Sequence, residues 1–463
     1  MTWNEVMKKI FMMLSRGFVA RNMLQTEVKK TILEQEDVQL ILFVPSNIPD
    51  HFHKEANHPR ITTIECEDVQ YGPLRRRFAR SMQKMVYSKT AQYLLHYGGR
   101  PSKKNMSWPF FIVAHGFFKL LSSMKFFIPV WRWLEIATWP DKIYDEHFKE
   151  HKPDLVIATS LKTKRDAAIL KSAKRFNVKP IGITRSWDNL DRMLLQVVPD
   201  KLVVQNEAMK EIAIKDHAID EKTIFVAGFP QFDLYDNSET FDDYETFLEK
   251  RNFTPDRKVI FFGSEGAWAP YGYMIAQELI DMANKDEFVH PVQVIVRPHF
   301  SDINFDKKNV YDVVEGRPLT YYDNYFRVSK MFTDKWDPSW EEMTNLANQL
   351  KHSDMLITYA STLSLEAAIL DTPIINIDYQ ARQEPKGGPF MGTFYQSSHY
   401  SRMANSGAIK FAHSRNELKA LVNRYLENPE YEKTERKKFA NWLAPYTGEA
   451  GKRLGDFIIQ QLS

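Results

Sequence analysis

The residues best placed to do chemistry lie in the segment Ser353 to Leu370, SDMLITYASTLSLEAAIL. A short apolar run ends near Thr358, and Ser361 and Thr362 stand where a helix should open. Free backbone N–H groups and the positive end of a helix dipole at such a turn suit a diphosphate. Capping of the helix by the same two hydroxyls is the plainer alternative. Glu366 falls about one turn further on, on the face near Thr362, where a carboxylate can accept both hydroxyls of a ribose. Its neighbours Ala367, Ala368 and Ile369 mark a packed turn, in which a charge needs a partner.

Three further strand ends carry candidate groups. Arg297-Pro298-His299 closes the apolar run Val292–Val296. Proline stops the strand, Arg297 can grip a phosphate with two N–H groups, and His299 can donate to one or neutralise it as imidazolium. A strand-end arginine–carboxylate pair and a surface histidine are the bland alternatives. Gly263-Ser264-Glu265-Gly266 follows the run Lys258–Phe262, and small residues such as Gly263 and Ser264 let a backbone approach a ligand. In the first half, Ser15-Arg16-Gly17 occupies the corresponding turn, with Asn22 one turn along, and Trp187-Asp188-Asn189 follows Lys179–Thr184. Asp188 is the expected base for an acceptor hydroxyl, with an Asx-turn role as the alternative. His53 is its rival, in a polar loop with His51 and His58. No carboxylate cluster supports a metal site there, so no metal or other cofactor is expected.

The elements that must position these groups follow from periodicity. Continuous apolar runs at Lys8–Leu14, Val38–Val44, Arg60–Ile64, Asp154–Ala158, Lys179–Thr184, Lys201–Gln205 and Thr223–Ala227 alternate with helical patterns, among them Val19–Glu34. That is the signature of a parallel sheet covered on both faces. Residues 229–255 are polar and irregular, and the α/β pattern then restarts, with further strands expected at Asn309–Val314, Asp354–Thr358 and Pro373–Ile377. Ser339 followed by Glu342 signals a capped helix. The expected organisation is two doubly wound, Rossmann-like domains, 1–235 and 256–430, facing across a cleft. Terminal helices in 431–463 would cross back to the first domain. Ligands of such sheets bind outside the carboxyl ends of the strands.

The motifs and their order resemble a known group. A strand, then S-T-x-x-x-E-A-A over 361–368, then D-T-P-I-I-x-I over 371–377, is similar to the nucleotide half of GT-B glycosyltransferases. The nearest likeness is to bacterial surface-polysaccharide transferases and the related glycerophosphotransferases of teichoic acid synthesis. SRGFVARNML after the first strand, SWDNL at 186–190, PDKLVVQNEAMKEIA at 199–213 and VAGFPQFDLY at 226–235 resemble their other half. The likeness spans the chain except about 69–135. It implies a metal-independent transfer of a sugar from a nucleotide-sugar donor to a hydroxyl of a surface glycan or lipid-linked acceptor. Gly263, Ser264, Arg297, Ser361, Thr362 and Glu366 would hold the donor, His299 would stabilise the leaving group, and Arg16, Asn22, Trp187 and Asn189 would line the acceptor side. A CDP-glycerol-type phosphotransfer is the related alternative, although Thr358-Tyr359-Ala360-Ser361-Thr362 departs from the aromatic-Ser-Ser segment usual there. A catalytically silent glycan- or membrane-binding scaffold is the alternative from another class.

Composition narrows the classes further. The chain of 463 residues is 43% hydrophobic and 26% charged, ordinary for a globular protein. The single Cys66 excludes an intrachain disulfide framework and a cysteine-based metal cluster, and fits a reducing cytoplasm. The net charge of +3 is unevenly spread: Val69 to Leu134 holds 12 Lys/Arg and no acid, leaving −9 on the remainder. This basic block alternates with Phe110, Phe111, Phe117, Phe118, Phe126, Phe127 and Trp131. It is expected to form a helical insertion, either packed internally or lying on an anionic membrane at the inner face. No nucleic-acid-binding motif accompanies it.

Overall fold

The computed structural model describes residues 7–97, 107–303, 308–332, 335–382 and 391–462. Two parallel sheets organise them. The first holds β1 (Lys8–Met13), β2 (Val38–Pro45), β3 (Ile61–Cys66), β4 (Leu155–Ala158), β5 (Lys179–Ile183), β6 (Lys201–Val204) and β7 (Ile224–Val226), in the order β3-β2-β1-β4-β5-β6-β7. The second holds β8 (Lys258–Gly263), β9 (Val292–Arg297), β10 (Thr320–Tyr322), β11 (Met355–Thr358), β12 (Ile374–Ile377) and β13 (Ile409–Ala412), in the order β10-β9-β8-β11-β12-β13. Strand order reverses between β1 and β4 in one sheet and between β8 and β11 in the other. Crevices open at such points, and here they adjoin Ser15–Gly17 and Ser264–Gly266.

The strands are almost uniformly apolar because helices cover both faces. Ile10, Leu40 and Leu155 pack on one side of the first sheet, and Phe11, Phe43 and Val156 on the other. One apolar cluster joins the domains, running from Leu202 and Phe229 through Phe232 and Leu234 to Phe261 and Leu356. The C-terminal helix Ala450–Gln460 lies on the helix Glu27–Leu33 of the first domain, and Phe457 stacks on Phe225 at 4.0 Å. The Asp233 carboxylate holds its start, accepting N–H bonds from Gly448 (3.0 Å), Ala450 (3.0 Å) and Gly451 (2.6 Å).

Three elements differ from the sequence expectation. The pattern Val19–Glu34 forms two helices, Gly17–Leu24 and Glu27–Leu33. The Thr26 hydroxyl donates to the Asn22 carbonyl (2.7 Å) and accepts from Val28 N–H, which ends one helix and caps the next. Asn309–Val314 is not a strand: Val310–Val314 is a 3-10 turn. The Asp312 carboxylate accepts the Asn309 N–H at 2.8 Å and closes it, so the edge strand is β10. Ser339 does cap the helix Trp340–His352 by accepting Glu342 N–H at 3.0 Å. The Glu342 carboxylate does not complete a capping box, because it binds Arg297, Trp336 and the Arg327 N–H instead.

Between β3 and β4 stand the helices Pro73–Gln83, Lys89–Tyr97, Trp108–Ser123 and Ile128–Thr138. Their basic residues divide between buried and exposed positions. Arg75 is buried against Glu135, Asp141 and the Tyr71 ring, and Arg132 donates to the Leu195 carbonyl. Lys125 pairs with Asp216. Arg76, Arg77, Arg80, Lys89 and Lys119 remain exposed. The aromatics divide likewise. Phe111 stacks on Trp108, Phe118 packs on Tyr87, and Trp131 packs on Phe78. Phe110, Phe117 and Phe126 are 63%, 58% and 72% exposed. No single described helix is long and apolar enough to cross a membrane; Trp108–Ser123 and Lys125–Thr138 reach that length and apolarity only together, bent by 66° at the break between them.

Candidate active site

Two adjoining cavities occupy the cleft between the sheets' carboxyl ends. The larger, about 290 Å3, is lined by Asn22 and Trp187 from the first domain and by Ser264, His299, Ser361, Thr362 and Glu366 from the second. The smaller, about 190 Å3, shares Trp187, His299, Ser361 and Thr362 and adds Asp188, Arg192, Glu265 and His399. Gly17 fixes how closely the domains approach, since a Cβ there would lie 2.3 Å from the Trp336 carbonyl oxygen.

The helix after β11 begins at Leu363 and has only seven residues. Its dipole is correspondingly short, and Ser361 already serves the first turn, its carbonyl accepting Ser364 N–H at 3.2 Å. Thr362 makes no side-chain cap bond; its hydroxyl meets the Trp187 indole N–H at 3.4 Å across the cleft. Glu366 is 7% exposed, and its carboxylate accepts the Tyr235 hydroxyl. Burial pushes its pKa up against the pull of Tyr235, Arg21 and Arg297.

Ser264 accepts the His299 N–H at 2.7 Å and donates to Asp302, which fixes the turn after β9. His299 Nδ1 accepts Ser301 N–H at 3.1 Å, which assigns the ring proton to Nε2. Burial, and then the charge of Arg297, push its pKa down to about 4, so the ring is a neutral donor and not the imidazolium the sequence allowed. Arg297 is corrected too. Its guanidinium is 6% exposed and binds Asp323 and, at 3.2 Å, Glu342, so it is the buried ion pair and not a free phosphate grip. Gly263 is small for packing, not ligand approach, because a Cβ would lie 2.4 Å from Leu363 Cδ1.

On the first domain, Asp188 pairs with Arg192 at 2.6 Å and accepts from the Ser186 hydroxyl. Burial opposes ionisation, but Arg192, His399 and Lys162 together hold the carboxyl well below the usual range. A carboxylate so stabilised is a weak base. Asn189 is buried and donates to Asp188 at 3.3 Å, supporting the turn. Arg16 precedes the helix Gly17–Leu24 and lines neither cavity, and His53 is exposed on the helix Asp50–Glu55 outside both. Four residues that motif reading missed stand at the site: Lys162, Arg192, Glu265 and His399. Glu265 lay inside a motif already singled out, but nothing in its spacing distinguished it. Burial holds its pKa well above the usual carboxylate value. Among the described residues, three potential metal ligands gather at His147, Glu150 and His151, outside both cavities.

The 188–195 turn is tied down from beneath by His217, which is fully buried. Its Nε2 donates to the Leu190 carbonyl (2.7 Å) and its Nδ1 accepts Leu195 N–H (3.3 Å). Burial pushes its pKa down to about 4. A histidine whose folded pKa is depressed binds more protons when unfolded. The stability it contributes is therefore present above about pH 6.5 and is lost as pH falls toward 4. The melting temperature is expected to fall over that window, and less steeply in His217→Gln, which keeps a donor and an acceptor. Equal acid sensitivity in the two proteins would remove His217 as a source.

No family model matches the sequence, and no curated protein matches it. Solved structures do resemble it over almost the whole chain. MnaA of S. aureus, solved with UDP, matches 98% of this chain and 97% of its own, with 12% identity and a TM-score of 0.53. A putative UDP-N-acetylglucosamine 2-epimerase from Listeria monocytogenes matches 96% and 94%, at 13% identity and 0.52. A glycosyltransferase from Rickettsia africae ESF-5 matches 98% and 99%, at 13% identity and 0.51. At such identities the likeness establishes the fold: two Rossmann-like domains of the GT-B type, with a helical insertion in the first.

Proposed function

We propose that the protein is a metal-independent glycosyltransferase that moves a sugar from a nucleotide-sugar to a hydroxyl of a surface glycan or lipid-linked acceptor. One observation carries this reading: Ser361, Thr362, His299 and Glu366 converge on one interdomain cavity, at the β8/β11 crevice where such sheets bind ligands. In this assignment Glu366 exchanges the Tyr235 hydroxyl for those of a ribose. The His299 Nε2–H, Ser361 and Thr362 stabilise the diphosphate, whose charge grows as the sugar leaves. The stacked Phe300 and Trp336 rings, 4.7 Å apart and inclined by 10°, offer an aromatic wall to the base. Asp188, fixed as an anion by Arg192, orients the acceptor. Release of nucleoside diphosphate from a panel of UDP-, GDP- and CDP-linked sugars tests this. Turnover of one of them is expected, and binding without any turnover would leave a silent scaffold.

The exposed apolar pair of helices in the insertion suits a membrane surface, with the protein held at its inner face. Co-sedimentation with phosphatidylserine vesicles is expected, weakening with salt as the charges of Arg76, Arg77 and Arg80 are screened. Substituting Phe110, Phe117 and Phe126 by serine should remove the salt-resistant part. Indifference of the wild-type protein to such vesicles at low salt would refute the association.

A further inference from the structure

We infer that His399, oriented by Asp191, is the general base that takes the proton from the acceptor hydroxyl. This rests on the nucleotide-dependent transfer proposed above and names the group that completes it. Three separate segments converge to build the pair. His399 follows the helix Met391–Tyr395 of the second domain, Asp191 lies on the turn after β5 in the first, and Thr90 lies in the first turn of the helix Lys89–Tyr97 of the insertion. The Asp191 carboxylate is 2% exposed, accepts the Thr90 hydroxyl at 2.7 Å and faces His399 Nδ1 at 3.3 Å. With its proton on Nδ1 toward Asp191, the imidazole keeps the Nε2 lone pair as its basic site. No other described residue bonds to that nitrogen, and the side chain lines the smaller cavity together with His299, Ser361 and Thr362.

The surroundings fix the ring as a base requires. Trp187 meets it edge-on, with centroids 5.1 Å apart and planes at 78°. The backbone around it is clamped: Ser398 N–H donates to Thr90 Oγ1 at 3.0 Å, Lys89 N–H donates to Ser398 Oγ at 3.0 Å, and the Ser88 hydroxyl donates to the Asp191 carbonyl. A histidine whose Nδ1 faces an orienting carboxylate is the arrangement that activates hydroxyl nucleophiles in other enzymes. Asp188, by contrast, has its carboxylate engaged by Arg192. In the step, the acceptor oxygen bonds to the anomeric carbon and its proton passes to His399 Nε2. The bond from that carbon to the diphosphate oxygen breaks, and its electron pair leaves with the nucleoside diphosphate beside His299. The dyad exists only where both domains and the insertion meet, so the insertion contributes to chemistry as well as to location.

The test uses whichever nucleotide-sugar of the panel the wild-type protein turns over, with UDP, GDP and CDP as binding probes. His399→Gln is expected to lower kcat by about 100-fold or more, with donor KM and nucleotide affinity within threefold of wild type. Asp191→Asn, a positioning change, should lower kcat at unchanged donor KM. Added imidazole should restore part of the activity of His399→Ala, which a purely structural role would not allow. A wild-type protein that turns over a donor while His399→Gln keeps kcat within threefold overturns the assignment of His399 and leaves glycosyl transfer standing. No turnover of any donor by wild-type protein contradicts glycosyl transfer itself, and His399 as its base falls with it.

Discussion

Glu135→Ala is expected to destabilise the protein by about 3–5 kcal/mol, the scale of breaking a buried ion pair. Glu135 is fully buried and accepts from Arg75 (2.8 Å) and Lys171 (2.9 Å). Lys171 is equally buried and has beyond it the Trp139 carbonyl (2.7 Å) and Asp141 (2.9 Å). Removing Glu135 leaves two buried cations to share Asp141 alone. Chemical denaturation should show a large drop in midpoint, because the network joins the insertion to the helix Lys164–Arg175 behind the first sheet. Arg75→Glu should be at least as damaging, since it sets a third carboxylate against Glu135 and Asp141. A loss below about 1 kcal/mol for Glu135→Ala would mean that water reaches the cluster, as for exposed pairs.

His299→Ala is expected to lower kcat about 10²–10³-fold, the scale of removing one preorganised donor to a developing oxyanion, with a much smaller change in KM. Ser301 N–H holds Nδ1, so the free donor is Nε2–H, and His299 lines both cavities. Burial, and then Arg297, hold its pKa at about 4. An arriving diphosphate opposes the Arg297 field, and the Nε2–H bond to it strengthens as negative charge accumulates on the accepting oxygen. Steady-state kinetics with the active donor decides the matter. A rise in KM with kcat intact would reduce His299 to a ground-state contact.

The sheets were legible because buried parallel strands are continuous apolar runs: VQLILFV and KVIFF can hardly be anything else. Val310–Val314 misled for the same reason, its β-branched residues outweighing the single Asp312 that closes the turn. Ser361, Thr362, Glu366 and His299 could be picked out as candidates because they sit at strand ends at fixed offsets, and they line one cavity of the cleft. Arg297 was not, since its two partners, Asp323 and Glu342, are 26 and 45 residues away in the chain. His399 was invisible for a stronger version of that reason. Its partners Asp191 and Thr90 lie 208 and 309 residues away, on another domain and on the insertion. Which charges of the basic block face outward was not legible, because composition does not say which side a charge faces. Arg75 is buried, whereas the adjacent Arg76 is exposed.

Binding of a nucleoside diphosphate in the interdomain cleft is the claim on which the rest depends, and calorimetric titration with UDP, GDP and CDP tests it directly. One of the three is expected to bind with a stoichiometry of about one per chain. Glu366→Ala, folded by its melting curve, should bind that nucleotide more weakly by about 1–3 kcal/mol, roughly 5- to 150-fold, the scale of lost hydrogen bonds to a charged group. No heat with any of the three, or equal affinity in wild type and Glu366→Ala, would contradict the nucleotide site.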